Sequence, residues 1–351
     1  MKLFAPSLCG LSRRDFLATS GSGFGLTALA ALMASGELPG FELAAQNQFS
    51  PIAVKQPHFP VKAKRVLQIF AQGAPTQIDT WDPKPELKKM DGRSISGGRR
   101  NGTAFGSPFD FAPQGQSGLP MSPVWPRLAR HADKLAVIRS MHTDIPAHDT
   151  AQVMFNTGSL RRVMPSVGSW VLYGLGSVNQ SLPGFVALSN GNVNANNLRS
   201  AFLPGAYQGT QVDTRARRPE DLIANIRNGN LSLPEQRRQL DLLHQLNEVH
   251  QQKFRKDGQL EARLQAYELA FKMQSEAIDA FDVGNETQTM RDAYGANGTE
   301  GRKMLIARRL LERGVRFVQL WHGGWDHHNN IASDRVGRLV CFALERHFLR
   351  V

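Results

Sequence analysis

The stretch GVRFVQLWHGGWDHHNN, residues 314–330, decides the fold. It begins with a glycine, runs through a short apolar strand pattern and ends in a Gly-rich loop carrying one carboxylate and two imidazoles. Just before it, GRKMLIARRLLER (301–313) has helical periodicity, so Gly314 reads as the stop of a basic helix that feeds a strand. Three more short apolar runs each end in a polar or Gly-rich loop: RVLQIF (65–70), KLAVIRS (134–140) and GFVALS (184–189). Apolar runs separated by helical stretches predict an α/β fold, a mostly parallel sheet covered by helices. In such sheets ligands gather beyond the carboxyl ends of the strands.

Those ends carry the candidates for chemistry. Gly323 and Gly324 let the backbone turn sharply. On an extended loop Asp326 and His328 point the same way. One oxygen and one nitrogen donor from a single loop suit zinc or another divalent metal, with further ligands from elsewhere in the chain. A hydrogen-bonded turn with surface histidines is the plainer alternative. The loop after the first strand, GAPTQIDTWDP (73–83), offers Asp79 and Asp82 as ligands, or only a turn in which Asp82 precedes Pro83. The third cluster, SMHTDIPAHDTAQVMFNTGS (140–159), holds His142, Asp144, His148 and Asp149, with Thr150 near a helix start. That start either presents backbone donors to an anion or is capped by Asp149 or Thr150.

The helical section, 211–313, contains two long amphipathic patterns. One places Leu240, Leu243, Leu246 and Val249 at three-residue spacing, with Pro234 in its first turn. The other sets Leu260, Leu264, Tyr267, Ala270 and Phe271 along one side. A hairpin packed on the main body is expected, as structural cover in preference to a lid.

The N-terminal 45 residues read as an address. Arg13 and Arg14 precede Phe16-Leu17 and an apolar, Gly-rich stretch too short to span a bilayer comfortably. The pattern resembles a twin-arginine signal, with Ala18 where a lysine is usual. A polar linker (46–60) follows, and no later segment has the roughly 18 unbroken apolar residues of a membrane helix. Of the two cysteines, Cys9 falls in the signal, so the mature chain closes no internal disulfide. An apolar fraction of 41% supports a real core. The net charge of +12 is scattered in small clusters with no recognition motif, which argues against specific nucleic-acid binding and suits an anionic ester substrate.

Four of these segments, taken in order, resemble the domain of unknown function 1501 family. They are PHFPVKAKRVLQIFAQGAPTQIDTWDPKPEL, LAVIRSMHTDIPAHDTAQVMFNTGS, PSVGSWVLYGLGSVNQSLPGFVALS and GVRFVQLWHGGWDHHNNI. The resemblance implies membership of the alkaline phosphatase and sulfatase superfamily over residues 61–331. It further implies a three-layer α/β/α sandwich and metal-assisted hydrolysis of sulfate or phosphate esters, on substrates such as sulfated polysaccharides. The implied metal, zinc, calcium or manganese, is held by Asp79, with Asp82 second, and by Asp326 and His328. The superfamily's nucleophile segment ends in Thr-Gly, here Thr157-Gly158, which puts His148 at the nucleophile position. A histidine there implies a metal ligand or an acid–base group, and Thr150 is the nearest hydroxyl. The resemblance also implies a chain that stops short: SDRVGRLVCFALERHFLRV (333–351) departs from the family pattern, and an impaired product is expected. A noncatalytic exported binding protein on the same fold is the alternative.

Overall fold

The structure is a computed structural model and describes residues 52–326, apart from 74, 97–101, 192, 224–225, 227–229 and 254–257. The N-terminal segment read as an export signal, the first six residues of the linker (46–51), His328 and the tail at 332–351 therefore lie outside the described residues.

In chain order the elements are β1 (Val66–Ala71), α1 (Gln77–Thr80), α2 (Pro85–Lys89) and four short strands, β2 (Ser94–Ile95), β3 (Gly102–Thr103), β4 (Ala112–Gln114) and β5 (Leu119–Met121). A 3-10 segment over Leu128–Lys134 leads to α3 (His148–Thr157), α4 (Val167–Leu175), β6 (Phe185–Ser189) and β7 (Thr210–Asp213). The chain continues through α5 (Leu233–Lys253), α6 (Gly258–Phe281), α7 (Gln288–Tyr294) and α8 (Thr299–Glu312) to β8 (Phe317–His322). The main sheet has the order β1-β8-β6-β7, and every neighbouring pair is parallel.

The strand periodicity of two sorts side chains onto two faces. Val318 and Leu320 of β8, with Val186 and Leu188 of β6, face a core completed by Met304, Leu305 and Ile306 of α8. Phe317 and Trp321, with Phe185 and Ala187, face a second core that includes Leu172 of α4. Helices thus cover both faces, and β6 and β8 are buried along their whole length. Fully burying one of these large apolar side chains contributes about 1.5–3 kcal/mol. Gly314, at φ +88°, ends α8 as the sequence reading required.

Two readings are corrected. KLAVIRS (134–140) forms no strand: the 3-10 turn ends at Lys134 and irregular chain follows. Ile138 is 70% exposed, and Arg139 Nε donates to the Trp81 carbonyl (3.0 Å). An apolar run becomes a strand only when a partner offers its ladder, and no described strand lies beyond β1. The α5–α6 hairpin does form, but its expected apolar stripe is mostly uncovered. Leu240 and Leu264 are buried, whereas Leu243, Leu246, Val249 and Tyr267 are exposed. The part of α6 that packs is the C-terminal half, through Met273, Ala277, Ala280 and Phe281. Among the described residues, no helix is long and apolar enough to cross a membrane.

Candidate functional site

The carboxyl ends of β1 and β8 are zipped together beyond the sheet. Gln72 N donates to the His322 carbonyl (2.8 Å), and Trp325 N donates to the Gln72 carbonyl (3.1 Å). Gly73 sits at φ +101°, and a Cβ built there would lie 2.4 Å from Asp326 N and 2.7 Å from Asp326 Cβ. Only glycine satisfies both the dihedral and the close approach. The loop that carries Asp326 is thus pressed against the turn after β1.

The third strand-end segment arrives through α3, whose first residue is His148. Its Nε2 lies 3.3 Å from Asp326 Oδ2, and both side chains are about half exposed (47% and 45%). A buried amide chain fixes α3 on the sheet. Gln319 of β8 donates through Nε2 to Gln68 Oε1 (2.9 Å) and to Asn156 Oδ1 (2.8 Å), and Asn156 Nδ2 donates to Asn197 Oδ1 (3.1 Å). Trp321 Nε1 donates to Gln319 Oε1 (2.9 Å). The Ala147 cap position makes no side-chain cap bond, so neither Asp149 nor Thr150 serves as the N-cap.

The other expected site residues are distributed differently. Asp79 is buried in α1. Asp82 is ion-paired with Lys84 (2.6 Å) and lies 4.0 Å from Arg139 Nε. Thr150 Oγ1 donates to the Ala147 carbonyl (3.1 Å), a local bond within the first turn. Among the described residues no three His, Cys, Asp or Glu side chains come together as a metal-holding group. Asp79 and Asp82 therefore do not join His148 and Asp326 in one. The pair itself fits a shared cation: two donors on a tetrahedral zinc, at bond lengths of about 2.0–2.1 Å, stand about 3.3–3.4 Å apart.

Behind the loop lies a polar cluster that the sequence reading missed. Lys303 of α8, with a fully buried side chain, donates to the Trp321 carbonyl (2.6 Å) and to Glu300 Oε1 (3.1 Å), and lies 2.9 Å from Glu300 Oε2. Asn190, just past β6, also donates to Glu300. His322 Nδ1 accepts from Trp325 Nε1 (2.8 Å), which leaves the proton of the neutral ring on Nε2, 3.6 Å from Glu300 Oε2. Desolvation pushes the Lys303 ammonium below the ordinary lysine value, with Glu300 opposing. Desolvation also lowers His322; Glu300 opposes it and Lys303 adds to it. The cluster holds Trp325, and through it the start of the Asp326 loop. Its one sequence signal is the placement of Lys303 beside the unbroken apolar run Met304–Ala307.

A cleft of about 620 Å³ opens beside the outer edge of β1, with His148, His142, Thr143 and Gly73 among its lining residues. The rest of its wall is mainly apolar, from Phe70, Met141, Met154, Phe155 and Val167. No described side chain of the α5–α6 hairpin lines it.

No curated protein matches the chain, and no solved structure does. One family model does match, that of the Protein of unknown function (DUF1501) family, over residues 63–340. This range takes in β1, the α3 segment, β6, α8, β8 and the Asp326 loop, and on that match the chain belongs to the DUF1501 family.

Proposed function

We propose that the chain is a metal-dependent hydrolase of sulfate or phosphate esters, centred on His148 and Asp326. The observation that carries the reading is the approach of these two side chains to 3.3 Å from segments far apart in sequence, at the carboxyl end of a parallel sheet and beside a cleft. The alkaline phosphatase and sulfatase superfamily, a three-layer sandwich, is the fold family this reading implies, and helices on both faces of the sheet support it.

A divalent cation, zinc, calcium or manganese, would supply Lewis-acid stabilisation of the charge that develops on the ester oxygens. Asp326 Oδ2 and His148 Nε2 would hold it; His328, the remaining donor expected from the same loop, lies outside the described residues. Gly73 fixes where Asp326 stands. The His322–Glu300–Lys303 cluster anchors the loop through Trp325, so that the carboxylate is preorganised. His142, lining the cleft with His148, is placed to exchange a proton with the leaving oxygen. Thr150 is the poorer candidate for a nucleophile, because its hydroxyl is committed to a backbone carbonyl. Export by the twin-arginine pathway belongs to the same proposal.

One observation favours a second reading, a noncatalytic exported binding protein: only two donors, not three, meet among the described residues. Metal analysis of the purified full chain, paired with turnover of aryl sulfates and aryl phosphates, decides between them. The hydrolase reading expects a bound divalent metal that Asp326→Ala removes, with turnover falling at least a hundredfold. A metal-free chain that turns over neither ester class after loading with zinc, calcium or manganese would establish the binding-protein reading instead.

A further inference from the structure

The cleft beside β1 is unlike a site for a sulfated sugar chain. Such a ligand is polar along its length and calls for cationic and hydrogen-bonding side chains throughout. Among the described residues no arginine or lysine lines this cleft, and its polar groups, His148, His142, Thr143, Gln68 and Gln152, share the walls with a larger apolar surface. Two rings face into it, Phe70 and Phe155, with centroids 5.3 Å apart and planes tilted by 58°. Phe155 is 56% exposed and Met141 is 69% exposed, a contiguous apolar surface of the kind that soluble proteins keep for a ligand. A volume of about 620 Å³ lies within the range of small-molecule sites, roughly 300–1,000 Å³.

From this we infer that the cleft binds the organic half of an aromatic ester, with one or two fused rings seated between Phe70, Phe155 and Met154 and the anionic head turned toward His148 and Asp326. The inference rests on the hydrolase reading for the identity of the head group and narrows its substrate class to aryl esters. Aromatic rings recognise rings by offset or edge-to-face contacts, and thioethers add favourable contacts at ring edges. Gly73 helps twice: it brings Asp326 to the mouth and adds no side chain to the wall.

The test uses the full chain and 2-naphthalenesulfonate, an anionic fused-ring compound with no ester to cleave, followed by isothermal titration calorimetry. One-to-one binding is expected, with inorganic sulfate and methanesulfonate at least tenfold weaker. Phe155→Ala removes a ring that is 56% exposed and should weaken the naphthyl ligand at least fivefold; Ala151→Trp fills the cleft and should abolish binding. Naphthalenesulfonate that binds no better than methanesulfonate, or that ignores both substitutions, overturns the inference. The hydrolase reading fails separately: ring binding without turnover of 2-naphthyl sulfate or phosphate refutes catalysis and leaves the cleft assignment standing. Turnover of methyl and naphthyl esters with equal kcat/KM refutes the cleft assignment alone.

Discussion

Replacing Asn156 by alanine tests whether the buried amide chain is what seats α3, and with it His148, on the sheet. Asn156 is 2% exposed; it accepts from Gln319 at 2.8 Å and donates to Asn197 at 3.1 Å. The substitution deletes two bonds between elements, each contributing about 1 kcal/mol net. It also strips Asn197 Oδ1 of this donor in a site where Asn197 Nδ2 has no partner among the described residues, at a further cost of about 1–3 kcal/mol. Gln319 Nε2 keeps Gln68 Oε1, so that end is not orphaned. Alanine's better helix propensity returns up to about 0.7 kcal/mol. The expected loss is therefore about 2–4 kcal/mol, read as a lower urea midpoint at unchanged m. Gln319→Leu combined with Asn156→Ala should be less damaging than the sum of the two by about 1 kcal/mol, because they share a bond. A single-variant loss below about 0.5 kcal/mol, or strict additivity in the pair, would show that α3 is held by apolar packing alone.

His322 gives a pH prediction. Burial lowers its pKa in the folded protein, so below about pH 6.5 the unfolded chain binds more protons than the folded one. Stability contributed by the neutral ring is present above that pH and is lost as the pH falls through the window. Thermal melts of wild type and His322→Gln between pH 7.5 and 5 should show a steeper acid decline in wild type, by up to about 1.4 kcal/mol per pH unit; parallel curves would refute it. Gly73→Ala should destabilise by clash with Asp326 as well as by its φ of +101°. Gly92→Ala is the control, at φ +74° with nothing within 4 Å, and should cost only the roughly 1–2 kcal/mol of backbone strain. Equal melting temperatures for the two variants would mean that the Asp326 loop simply moves aside.

The strands legible in the sequence are those whose burial is two-sided. VRFVQLW and GFVALS are largely apolar runs because both sheet faces are covered, and they become β8 and β6, with the buried Gln319 as the polar interruption in β8. RVLQIF becomes β1. The strand TQVD (210–213) escaped notice because only Val212 is fully buried. KLAVIRS misled for the converse reason: its composition suits a strand, but strand formation is a property of two chains in register, and a single apolar run carries no record of its partner. The stripe on α5 shows the same limit for helices. Periodicity at Leu243, Leu246 and Val249 shows that a face exists and not that anything covers it.

The site divides along the same line between what a residue is and where it ends up. Asp326 and His148 stood out because each sits in a loop rich in potential donors. Their meeting did not, because it depends on β1 and β8 being neighbours and on α3 being docked by Gln319, a side chain in the middle of a strand. Asp82 stood out equally and yet pairs with Lys84, since a carboxylate two residues from a lysine in a turn finds that cation first. Lys303 belongs to a basic helix, with Arg302, Arg308 and Arg309. Like Arg309 it is buried; it shares its side of α8 with Met304 and Ala307, where an ammonium persists only beside a carboxylate and a carbonyl. The Asp326 loop is therefore held by a cluster with little sequence signal of its own, and the His148–Asp326 geometry owes as much to Gln319, Gly73 and Lys303 as to the two residues that meet.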